Sequence, residues 1–138
     1  MLTKVDIETL AEMRLNDAIL LLQNERYSSA YYLSGYAVEL GLKACIAKAF
    51  QPNAIPDKAF VNDIYTHHLE SLYGLAGLKK EFQDARKINT QLDAAWGIVN
   101  QWTEASRYHI WDRFFASDMV QAVIEPQHGV YQWVKNHW

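Results

Sequence analysis

The sequence predicts an all-α protein, an up-and-down bundle of four to five helices, on three observations. Ile7, Ala11, Leu15, Ala18 and Leu22 recur at spacings of three and four, which lines one face of a helix. A proline-free run from Tyr27 or Ser28 to Phe50 is apolar nearly all round, as a helix is when neighbours surround it. No segment alternates apolar and polar residues with the two-residue period of a strand.

Asp6 is placed to cap the first helix, because its carboxylate can accept from N–H groups that have no partner inside the helix. The polar Asn24-Glu25-Arg26 is a short connection, so the second helix folds back antiparallel on the first. Ala30, Ser34, Ala37, Gly41 and Ala44 then form a stripe of small residues along which a neighbouring helix can approach closely. Residues 51–66 hold two of the three prolines and no sustained period, which predicts a long loop with at most a turn of helix.

Thr66 is the expected cap of a short helix over "THHLESLYGLAGL", ended at Gly74 or Gly77. A further helical region from Lys79 to Trp102 is expected to break near Asn89. Its second half has Thr90 and Asp93 as a capping pair and Leu92, Ala95, Trp96, Val99 and Trp102 as its apolar face. Residues 103–117, aromatic and charged without a clear period, read as an ordered connector. Ser117 should cap a last helix carrying Val120, Val123, Val130, Val134 and His137, kinked or interrupted by Pro126.

With 138 residues, half of them hydrophobic and 21% charged, the chain is sized for one domain spanning residues 1–138. A formal charge of −3 argues against a protein-wide field that draws in nucleic acid, though not against a local basic patch. Cys45 is the only cysteine, which excludes an internal disulfide and suits a reducing compartment. The first residues mix charges with apolar side chains, unlike a signal peptide, and no apolar run reaches the roughly 18 residues of a membrane span. A cytoplasmic protein with no membrane partner and no cofactor is expected.

Four groups of residues could carry chemistry. Glu39 and Lys43 stand at i and i+4 with the acid first, the favourable order on a helix. The plainer account is a structural ion pair on the one wet edge of the second helix; the other is a polar patch lining a groove or a dimer seam. His67 and His68 are adjacent, so on a helix they point about 100° apart and fit no metal spacing. One of them should pack or cap while the other is solvated.

Arg107, Tyr108, His109, Asp112 and Arg113 form the densest cluster. Arginine grips phosphate with a planar fork, tyrosine stacks on bases, and histidine moves protons near neutral pH. A connector whose charges pair locally is the bland alternative. Trp133 and Trp138 are either an interface with a second copy or part of the monomer core. The usual nucleotide-loop and hydrolase motifs are absent from the sequence.

The run "ERYSSAYYLSGYAVELGLKACIAK" resembles the core helix of HEPN domains, the higher-eukaryote and prokaryote nucleotide-binding family, with Tyr27, Ala30, Glu39 and Lys43 at matching places. His67, Leu69 and Leu72 match the family's "H-x-L-x-x-L" stretch, and Trp102 with Arg107 and Tyr108 matches its aromatic followed by Arg-Tyr. The resemblance implies a helical bundle, commonly homodimeric, often paired with a minimal nucleotidyltransferase partner protein in a toxin–antitoxin system. Many members are metal-independent RNases that use an arginine, four to six further residues and a histidine. No arginine of this chain is followed by a histidine at that interval.

The expectation is therefore a non-catalytic HEPN-like protein that binds a partner, a nucleotide or RNA, with Arg107, Tyr108, Lys43 and His67 as ligand contacts. The alternatives are an endoribonuclease with a degenerate site, Arg107 clamping phosphate and His109 as acid and base, and a helical scaffold that binds no ligand.

Overall fold

The computed structural model describes residues 2–138 and contains, among them, eight α-helices, one 3-10 helix and no strand. The two long helices are α1 (Lys4–Gln23) and α2 (Tyr27–Ala47). They are followed by α3 (Lys58–Asp63), α4 (Leu69–Leu75), α5 (Lys79–Ile88) and α6 (Thr90–Val99). The 3-10 helix Glu104–Tyr108 leads to α7 (Arg113–Ile124) and α8 (Val130–Lys135). The all-α bundle is thus as the sequence predicts, with several short helices where fewer, longer ones were expected. No helix of the described residues is long and apolar enough to cross a membrane.

Helix α2 is the central rod: α1, α4, α7, α8 and the 3-10 helix all pack on it. Ala30, Ser34, Ala37, Gly41 and Ala44 are all buried, so the stripe of small residues is a packing surface. Its partners are divided among several neighbours, however. A methyl group at Gly41 would meet Val134 of α8 at 3.2 Å, not α1. The indole of Trp138 donates to the Gly41 carbonyl at 3.1 Å, and Trp133 packs its ring on Tyr73 and Phe82. Both C-terminal tryptophans are therefore spent on the chain's own core.

The helix ends differ from the expected ones by a few residues, each for a local reason. Thr3, not Asp6, caps α1; Asp6 reaches back to the Thr3 amide at 2.9 Å, completing a capping box. Helix α2 ends at Ala47 rather than Phe50. His68, not Thr66, caps α4, and Thr66 instead accepts from the His68 amide at 3.2 Å. The break before α6 falls at Asn89 as expected, but Asn89 itself is the cap, accepting from the Leu92 amide at 3.1 Å. Asp93 is turned instead to Arg86, at 3.3 Å.

The largest departure is in residues 103–117. Asp112, not Ser117, caps a helix that begins at Arg113 and runs until just before Pro126. Ala116, Met119, Val120 and Val123 make its buried face. The adjacent Phe114 and Phe115 remain exposed, and their presence hides the helical period. Pro126 does interrupt the pattern, separating α7 from α8.

Cys45 lies in the core, where burial pushes its thiol up to about 11. Since the thiolate is the reactive form, Cys45 should label slowly with an aromatic disulfide reagent in the native state. In denaturant it should react at the rate of a free thiol. Equal rates in the two states would place Cys45 outside the core.

Candidate functional site

Two tryptophans fasten the segment that follows α6 to the N-terminal half of α2. Trp102 donates from its indole to the Tyr32 carbonyl at 3.0 Å and lies directly over Gly35. Trp111 stacks on Tyr31 with ring centroids 3.8 Å apart, and its backbone amide donates to Ser28 at 2.9 Å. The 3-10 helix between them is thereby held against α2, on the turns that precede Glu39 and Lys43.

Glu39 is only 1% exposed, so the wet-edge account of the Glu39–Lys43 pair is overturned: the acid is a core residue. A buried carboxylate needs a partner for each oxygen. Lys43 Nζ lies 3.3 Å from one oxygen, and His67 Nδ1 lies 2.9 Å from the other. His67 reaches inward with Nδ1 from the residue just before the α4 cap while its side chain stays 41% exposed, so it packs on Glu39 and is not the cap. The capping role falls to His68, whose Nδ1 accepts from the Ser71 amide.

The polar chain continues outward. His67 Nε2 lies 3.6 Å from Glu104 Oε1, and the same oxygen lies 3.3 Å from Arg107. Arg107 also donates to the Tyr108 hydroxyl at 3.0 Å, with its guanidinium 4.9 Å from that ring's centre. That hydrogen bond, with a smaller contribution from Tyr32, holds the Arg107 side chain still more firmly in its charged form. Burial, and then the charge of Glu39, push the Tyr36 phenol above its ordinary range.

Lys43, Glu39, His67, Glu104, Arg107 and Tyr108 thus form one continuous array from the core to solvent, contributed by α2, the loop before α4 and the 3-10 helix. It joins all four residues expected to contact a ligand, although 64 positions of sequence separate Lys43 from Arg107. Glu104 is the member the sequence reading missed. Its position three residues before Arg107, with the acid first, was the available signal.

His109 is not part of the array. Its ring lies beside Trp111, with centroids 5.7 Å apart, and no hydrogen bond or ion pair joins it to Arg107 among the described residues. The 3-10 helix ends at Tyr108 and the chain becomes extended at His109. Among the described residues, no three histidine, cysteine, aspartate or glutamate side chains are grouped as metal ligands would be.

The fold and this array define a helical domain with one buried acid joined through a histidine to a surface arginine. Residues 9–137 match the family model of the HEPN domain, and the chain belongs to that family. Neither the curated proteins nor the solved structures contain a match.

Proposed function

We propose that this HEPN domain binds the phosphate of a nucleotide or RNA at Arg107 without cleaving it. The observation that carries the reading is the pairing of an arginine fork with an adjacent tyrosine face, both open to solvent, at the outer end of an array anchored in the core. Arginine matches the geometry of a phosphate, and Tyr108, 76% exposed, offers a ring on which a base can stack. Turnover would need a histidine free to exchange protons beside that phosphate. His109, though exposed, is turned to Trp111 and makes no hydrogen bond or ion pair with Arg107, and His67 has a carboxylate at each nitrogen.

On this reading the domain works as a homodimer and as one half of a nucleotidyltransferase-associated pair. The exposed Ile110, Phe114 and Phe115, in the segment that follows Tyr108, suit such an interface.

One observation favours the endoribonuclease reading instead: a buried carboxylate orienting a histidine is how a general base is held in place. In that case the base is His67 rather than His109. The two readings separate in one experiment. Short single-stranded RNA and nucleoside 5′-monophosphates are titrated by fluorescence anisotropy and calorimetry, and the RNA is then examined for cleavage without added metal. The expected outcome is binding that weakens about ten- to a hundredfold in Arg107→Ala, the size of a lost charged hydrogen bond, with the RNA intact. Metal-independent cleavage abolished by His67→Ala would replace the binding reading with the enzymatic one.

A further inference from the structure

Resting on the reading of Arg107 as a phosphate contact, we infer that Glu104 is an internal stand-in for the ligand, seated where the phosphate binds and displaced when it arrives. One carboxylate oxygen, Oε1, faces both His67 Nε2 at 3.6 Å and Arg107 at 3.3 Å. That is the position a phosphate oxygen would take between an arginine fork and an imidazole. Side-chain exposures of 42% for Glu104, 41% for His67 and 44% for Arg107 show that all three groups reach water. The contacts are therefore of the solvent-screened kind that exchange readily.

The inner half of the array is built differently. Glu39 is buried and holds His67 by Nδ1 at 2.9 Å, which fixes the ring so that Nε2 points outward whether or not Glu104 is in place. The seat is preorganised from the core, and its occupant comes from the surface. Glu104 lies in the first turn of the 3-10 helix, and Thr103 and Ser106 close that turn by a reciprocal capping pair that does not use the Glu104 side chain. The carboxylate can swing out without unfolding the segment that carries Arg107.

The consequence is competition. A phosphate must displace Glu104 and then remain near its charge, so the wild-type protein binds more weakly than the seat allows. The test uses inorganic phosphate and adenosine 5′-monophosphate as probes, on the full chain, with folding checked by circular dichroism. Glu104→Gln should bind both about three- to tenfold more tightly than wild type, as expected for removing exposed ion pairs of ordinary strength. Glu70→Gln removes the same charge from the first turn of α4 and controls for the general field; it should change affinity less than twofold. In addition, the His67 ring resonances of unliganded Glu104→Gln should be shifted from wild type, and phosphate should move the wild-type ring signals as it titrates.

Wild-type binding with Glu104→Gln equal to or weaker than wild type would overturn the stand-in role while leaving the Arg107 reading intact. Equal gains in Glu104→Gln and Glu70→Gln would overturn it as well, reducing the effect to net charge. If neither probe binds wild type or Glu104→Gln, the phosphate reading falls and the stand-in role falls with it.

Discussion

Lys43→Met is expected to lower the stability of the fold by about 2–4 kcal/mol, more than removal of the buried acid itself. Each oxygen of the Glu39 carboxylate has one cationic or imidazole partner, and the carboxylate has almost no access to water. Removing Lys43 leaves one oxygen without its partner inside the core, and the cost is the desolvation of a charge that His67, on the other oxygen, offsets only in part. The reverse change is milder. Lys43 is 22% exposed at its side chain and His67 more so, so both can turn to water when Glu39 is replaced. Glu39→Gln, which keeps the shape, should cost about 1–2 kcal/mol as buried hydrogen bonds weaken. Replacing both charges at once, Glu39→Leu with Lys43→Met, should recover most of the loss, because an apolar pair of similar volume carries no desolvation penalty. Urea unfolding with an unchanged slope provides the comparison through the midpoints. Lys43→Met no worse than Glu39→Gln would mean that the lysine does not carry the buried charge.

The same asymmetry explains how much of the site was legible in the sequence. Glu39 and Lys43 could be paired from their spacing, since four residues on a helix fix adjacency. Whether that pair was wet or buried could not be read, because α2 is apolar on every side and gives no phase from which to place a polar residue. The link from Glu39 to His67 crosses 28 positions and depends on how the loop before α4 returns to α2, which no local period encodes. His67 and Arg107 could be singled out only one at a time. Their meeting through Glu104 follows from Trp102 and Trp111 anchoring the 3-10 helix, and both tryptophans look in sequence like ordinary core residues.

The fold was legible where one face repeats cleanly, as in α1 and in the second half of the region that became α6. It was lost between Thr103 and Ser117, where exposed aromatics overlie a real helical face. Phe114 and Phe115 read as core by composition but stand outside it, so hydrophobicity alone starts the helix too late, at Ser117 rather than Arg113. The cap at Asp112 carried the correct boundary.

The second large effect is expected at Gly35, and its sign depends on two opposing terms. Alanine is the better helix former by about 1 kcal/mol, so Gly35→Ala in an exposed helix would stabilise. Here the added methyl group would overlap the five-membered ring of Trp102, a buried side chain that is also held by its bond to the Tyr32 carbonyl. A rigid indole cannot bend away as a flexible side chain would, and forced overpacking of a core costs about 1–3 kcal/mol even where some relaxation is possible. The overlap is severe enough to exceed the propensity gain, giving a net loss of about 2 kcal/mol. Trp102 stands two residues before Glu104 and five before Arg107, so moving it also moves the outer half of the polar array. Gly35→Ala should therefore weaken phosphate binding at a temperature where the fold is still intact, an effect that Gly97→Ala, with open space around its added methyl, should not show. The decisive measurement is the double substitution. With Trp102 already replaced by alanine, the overlap is gone and Gly35→Ala should turn stabilising by roughly its propensity difference. If Gly35→Ala is equally damaging in both backgrounds, the indole is not what the glycine accommodates, and the anchoring of the site through Trp102 fails with it.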